Sequence, residues 1–217
     1  MNIPLRFTHL LLLFLLLPLS PVSAGDMASD IAELQSEWAR IKYQSSPKEQ
    51  KQQFEALAEK AATVTARYPQ RAEPLVWEGI ILSTLAGSKG GLGALSLVKA
   101  SRDRLEQALA IDPLALDGSA YTSLGTLYYK VPGWPIGFGD SDKAEALLKK
   151  ALDINPDGID PNFFYGEFLY EEGRYPESIS VLNHALEAPA RPSRPLSDAG
   201  RKGEIELLLA EARKHID

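Results

Sequence analysis

The chain of 217 residues contains no cysteine. Disulfides, cysteine-based metal sites, a thiol nucleophile and lipid attachment at a cysteine are all excluded by that absence. Histidine is scarce. His9 stands in the N-terminal apolar segment, His184 in a helical stretch beside Asn183, and His215 near the C-terminus; none has a partner at metal-ligand spacing. No serine sits in a nucleophile-elbow context. Paired carboxylates such as Glu171 and Glu172, or Asp157 and Asp160, read as solvated faces. Nor is there an excess of base: the formal net charge is −6, which argues against a nucleic-acid partner. Beyond residue 24 no run is apolar enough to span a bilayer, which takes about 20 residues. These absences point away from catalysis, cofactors and metals, and toward binding.

What is present begins with a segment of secretory character. Arg6 supplies a positive n-region, Leu10 to Leu19 a short apolar run, and Val22, Ser23 and Ala24 a small-residue cleavage site. Cleavage after Ala24 would leave 193 residues with a net charge of −7, since Arg6 leaves with the segment. That length suffices for one domain with a real core. The expected compartment is periplasmic or extracellular.

The remainder reads as helices in pairs. Ile31, Leu34, Trp38 and Ile41 have the three- and four-residue spacing of a helix face. Ser46, Pro47 and Glu49 form a helix start: an N-cap, a proline at the first helical position and an acid three residues after the cap. The helix that follows ends at Tyr68–Pro69. A second pair starts near Ala72, is interrupted by the glycine-rich Ala86–Leu95, and resumes from Val98 to Ile111. The third pair spans Tyr121 to Pro156, with VPGWPIGFGD (131–140) between its helices. The fourth runs from Pro161 to about Ala188. A proline-rich linker (189–195) leads to a last helix at 197–215. No segment reads as a strand, so the expected class is all-α, with about nine helices.

The helix ends align on Pro69, Pro113, Pro156 and Pro189, spaced 44, 43 and 33 residues apart. The internal positions agree. Tyr121, Leu124, Gly125 and Tyr128 on one helix are matched by Ala144, Leu148, Ala151 and Pro156 on its partner. Tyr165, Gly166, Leu169, Gly173, Tyr175, Ser178, Leu182, Ala185 and Pro189 repeat the pattern. So do Leu75, Gly79, Leu82, Ser101, Leu105, Ala108 and Pro113. A small residue on each helix (Gly79 with Ser101, Gly125 with Ala144, Gly166 with Ser178) lets two backbones approach, while larger residues pack into the next repeat. From about Ala72 to Pro189 the chain resembles the tetratricopeptide-repeat family, whose period is about 34 residues. The resemblance implies a right-handed superhelix of helical hairpins: a degenerate hairpin at 25–71, three repeats at 72–189, two of them with insertions, and a linker with a capping helix at 190–217. A second resemblance is to the T-component proteins of TRAP-type solute transporters, exported repeat proteins that are usually anchored through a cysteine. This chain has none, and no ligand residue is carried over.

The insertions at 86–95 and 131–140 occupy equivalent places in consecutive repeats, so they belong on one edge of the solenoid. Trp134 and Phe138, stiffened by Pro132 and Pro135, either present a rigid apolar contact or plug a gap between the insertions. Tyr128 and Tyr129 lead into the same loop. Ser88–Lys89–Gly90–Gly91 lacks the order of a phosphate loop and a preceding strand. Asp153–Gly158 has the letters of a calcium loop, but Phe164 occupies the place of its bidentate acid. The expected function is a scaffold that takes a protein or peptide in its concave groove and insertion loops, at Trp77, Tyr128, Tyr129, Trp134, Phe138 and Phe168. Tyr121 and Tyr165 also fall on that face but hold packing places. The alternative is a small hydrophobic or lipid-like ligand beneath the insertions, serving solute transport.

Overall fold

The structure, a computed structural model, describes residues 24–216. The expected signal segment therefore lies outside the described residues, save Ala24. Nine helices account for the described chain: α1 (Ala24–Gln44), α2 (Pro47–Arg67), α3 (Ala72–Lys89), α4 (Gly91–Ile111), α5 (Ala115–Lys130), α6 (Ser141–Ile154), α7 (Ile159–Glu171), α8 (Tyr175–Leu186) and α9 (Pro195–Arg213). Successive helices pack as antiparallel hairpins, α1 with α2, α3 with α4, α5 with α6 and α7 with α8. This is the all-α tetratricopeptide-type superhelix.

Local chemistry sets the boundaries. Glu49 reaches back to accept from the Ser46 backbone N–H at 3.3 Å and from its hydroxyl at 2.7 Å, which fixes the start of α2 behind Pro47. Asp140 caps α6 by accepting from the Lys143 N–H at 3.0 Å. Gly173, with φ of 73°, ends the α7 turn in a left-handed conformation that glycine adopts without strain.

Inside the hairpins, glycine and serine set the spacing. The Ser101 hydroxyl donates to the Gly79 carbonyl at 2.7 Å, and Ser178 donates to Gly166 at the same distance. Both serines are fully buried, and the bond satisfies their hydroxyls without disturbing the apolar contact around them. A Cβ at Gly79, Gly125 or Gly166 would stand 2.7 Å from Leu105, Leu148 or Leu182 respectively. The small residue thus makes room for a leucine one turn beyond the serine or alanine that faces it.

Two elements differ from the sequence expectation. The glycine-rich stretch 86–95 is helical at both ends, with α3 continuing to Lys89 and α4 starting at Gly91; only Gly90 and Gly91, at φ of 62° and 60°, interrupt the right-handed course. Leu85 and Ala86 are buried against their neighbours, and that packing overrides the weak helix propensity of the glycines. The second repeat is therefore lengthened by longer helices, not by a loop. The first turn of α5 is left-handed, with φ of 50°, 54° and 74° at Leu116, Asp117 and Gly118. Regular helix begins after it.

The last helix changes the shape of the molecule. α9 packs on α8 and α7 and also reaches α1. Gly200 lies so close to Tyr43 that a Cβ there would be 2.5 Å from the ring. A repeat array that would otherwise be an open arc is drawn shut by this contact.

Candidate functional site

The first helices of the repeats and the closing helix surround a cavity of about 1320 Å³, partly open to solvent. Its walls come from α1, α2, α3, the start of α4, α5, α7, the linker and α9, whereas α6 and α8 stay outside. Trp38, Phe54 and Trp77 form an apolar wall at one end, and Phe163 and Phe164 line another part. Trp38 and Trp77 meet edge to face with ring centroids 6.3 Å apart, and Trp38 donates its indole N–H to Thr84 at 3.0 Å.

A charged lattice forms the rest of the wall. Asp160, at the start of α7, accepts from Arg191 at 2.6 Å and from Arg201 at 2.9 Å. Arg191 also reaches Asp198, Arg201 reaches Glu204 at 2.7 Å, and Glu204 meets Lys42 at 3.3 Å and the Tyr43 hydroxyl at 3.2 Å. The lattice ties α1, α7, the linker and α9 together. Burial alone would raise the Asp160 carboxyl, but Arg201, Arg191 and Arg194 outweigh it and hold the group well below the ordinary carboxylate range. Asp160 is therefore ionised at any physiological pH. It is the centre of the lattice.

The sequence-predicted residues separate into three groups. Trp77 is 3 % exposed and lines the cavity. Tyr128, Tyr129, Phe138 and Phe168 are packing residues. Tyr128 is buried, edge to face with Phe138 at 5.4 Å, and its hydroxyl accepts from Lys143 at 2.6 Å. Tyr129 donates to Glu167 and meets Phe168 edge to face at 5.7 Å. Phe138 also carries the Arg102 guanidinium 4.6 Å above its ring. Phe168 is 2 % exposed and offers no surface to a partner. Trp134 stands alone: it is 89 % exposed, with Ile136 beside it at 66 %. A plugging role for Trp134 is thereby overturned, since a plug must be buried.

The insertion that presents Trp134 is well pinned. The Asp140 N–H donates to Tyr128 O at 2.8 Å, Gly139 N–H to Pro132 O at 3.0 Å and Gly137 N–H to Gly133 O at 3.1 Å. A Cβ at Gly137 or Gly139 would run into the carbonyls of Pro132 and Val131, so the glycines are needed for the chain to fold back on itself. Val131, Pro132 and Ile136 line the cavity, as do Ala86, Gly87 and Ser88 from the end of α3. The end of α3 and the 131–140 loop therefore border one space.

Sequence reasoning misses the arginines. It makes the linker a polar spacer and α9 a solvated cap, yet they bring Arg191, Arg194 and Arg201 to the cavity wall. The available signal is the recurrence of arginine between Pro189, Pro192 and Pro195, which restrict the backbone and hold the side chains in place. The Asp153–Gly158 segment is an inter-repeat turn, closed by Asn162, whose amide donates to Pro156 O at 2.6 Å and Gly158 O at 2.9 Å.

Residues 136–194 match the family model described as "Tetratricopeptide repeat". Among solved structures the chain is similar to TTC0263, a thermophilic TPR protein in Thermus thermophilus. The TM-score is 0.55 at 19 % identity, over 84 % of this chain and 92 % of that one. It is also similar to MamA AMB-1, at 19 % identity over 87 % and 96 % of the two chains with a TM-score of 0.47. A further MamA structure gives 16 % identity over 88 % and 89 %, with a TM-score of 0.46. No curated protein matches the chain. A tetratricopeptide-repeat signature at 136–194 is thus carried on an all-α fold of paired helices that is similar to TTC0263 along most of the chain.

Proposed function

We propose that the chain is a non-catalytic, exported scaffold that engages a protein partner through the loop at 131–140. The observation that carries this reading is Trp134, 89 % exposed at the tip of a loop held by its own backbone hydrogen bonds. A large aromatic kept in water on a rigid support costs little entropy to bury in a partner, which is the character of an interface anchor. Repeat proteins of this type use extended surfaces to bind other chains. The pattern of Arg6, the apolar run and Val22–Ala24 supports export.

The test is a photo-crosslinking residue at position 134, compared with Trp134→Ala in an affinity purification. The expected result is one protein crosslinked at 134 and lost from the Trp134→Ala purification while melting is unchanged. A partner retained by Trp134→Ala would sink the proposal.

The partly open cavity favours a second reading, in which the scaffold also holds a small molecule and serves solute transport. At about 1320 Å³ it exceeds the roughly 300–1,000 Å³ of ordinary ligand pockets, and its walls combine aromatic surface with a few fixed charges.

A further inference from the structure

The cavity lining holds donors that the protein itself does not use. Lys42, Lys130, Arg191 and Arg201 each meet a carboxylate within 3.3 Å. Arg194 meets none among the described residues. Its Nε is shut off from solvent without a hydrogen-bond partner, and its guanidinium lies 5.4 Å from the centroid of Trp77. The Trp77 indole N–H, on a side chain almost wholly buried in the same wall, is also without a partner. Guanidinium and indole N–H groups are donors only, and a buried donor left without an acceptor is destabilising. Arg194 itself is half-buried in the cavity lining, so an incoming group that brings acceptors can reach its side chain.

Charge narrows the class. Arg194 is the cation left over once the lattice around Asp160 is paired. The lining carboxylates with no lysine or arginine partner, Asp117 and Asp157, are exposed and screened by water. One surplus positive charge suits one negative charge. A second negative charge would face Asp160, Asp198 and Glu204, which already occupy the other arginines. Burial weakens the hold of Arg194 on its proton, and Arg191 and Arg201 add to this, whereas Asp160 and Asp198 offset it. An incoming anion would relieve that cost. Beyond Arg194 the wall turns apolar at Trp77 and Trp38.

We infer that the cavity binds an organic monocarboxylate with an extended apolar body, its carboxylate held by Arg194 beside Trp77 and its body against the Trp38 side of the wall. Arginine suits this role because its planar fork matches a carboxylate through two parallel hydrogen bonds. The inference rests on the second reading above, that the cavity is a ligand site.

The test uses decanoate and decanol as probes, which share a chain and differ in charge. Trp134→Phe removes the exposed indole, so that the remaining tryptophan fluorescence comes from Trp38 and Trp77 in the cavity wall. In that background decanoate should give a saturable change and bind at least about tenfold more tightly than decanol, the usual margin of one charge-assisted hydrogen bond. Arg194→Gln should erase the preference and Arg194→Lys should keep part of it. Equal binding of the two probes, or a preference that survives Arg194→Gln, would overturn the carboxylate assignment and leave the cavity as a ligand site. Failure of both probes to bind would overturn the ligand site as well.

Discussion

A single methyl group separates tolerated from damaging changes at the glycines of this chain. At Gly125 an added Cβ would stand 2.7 Å from Leu148, which is fully buried and has no room to retreat. Gly125→Ala gains helix propensity but overpacks the α5–α6 contact, and the net effect should be a loss of about 1 kcal/mol or more, read from the denaturant midpoint. Gly203 is the contrasting case. A Cβ there meets nothing within 4 Å on α9, so Gly203→Ala should stabilise by about 0.5–1 kcal/mol. Asp160 contributes to the acid limit of the fold. It titrates lower in the folded chain than in the unfolded one. Its contribution is therefore complete at neutral pH and starts to fall as pH drops to the unfolded value of about 3.9, then is lost progressively below it. Asp160→Asn should cost about 3 kcal/mol at pH 7, because it leaves Arg191 and the nearly buried Arg201 short of a counter-charge. Much of the chain's acid sensitivity below about pH 4 should disappear with it, as pH-dependent melting would show.

At the scale of the helices, the close approach of α9 to α1 depends on one small residue, Gly200, beside the ties that Glu204 makes to Lys42 and Tyr43. Gly200→Glu would drive a side chain into Tyr43, 2.5 Å from the site of its Cβ, and should detach the end of the array at a cost of about 2 kcal/mol or more. Quenching of Trp38 by a soluble quencher should rise in the variant, since Trp38 lies in the wall that α9 helps to shield. The helices themselves were legible because their signals are local: the capping residues Ser46 and Glu49, the prolines at the repeat ends, and the recurring glycine–leucine spacing. The helical course of 86–95 was not legible, because tertiary packing of Leu85 and Ala86 decides it against the glycines. The left-handed turn at Leu116 to Gly118 was also hidden. Leucine rarely adopts φ of 50°, and only the close fit of Gly118 against Ile154, 3.0 Å from an added Cβ, shows why the chain bends there. The candidate site was half legible. Trp77 and the exposed Trp134 were found by aromatic character, but the arginines of the linker and α9 acquire meaning only from partners far away in sequence, such as Asp160.

For the molecule as a whole, the export expectation makes a simple prediction: expressed with its own N-terminus in a bacterium, the recovered protein should begin at Gly25 by intact mass. A mass retaining Arg6 would remove the periplasmic assignment. The join between the two ends of the described chain bears on folding as well as on binding. In a linear repeat array each unit leans only on its neighbours, so terminal units melt first and stability is gained by adding copies. Here Tyr43 hydrogen-bonds Glu204, so α1 and α9 lean on each other as well as on their neighbours in the array. Unfolding should then be a single all-or-none event. Amide exchange in α1 and α9 should be as slow as in α5 at the middle of the chain, and Gly200→Glu should restore sequential melting from the termini.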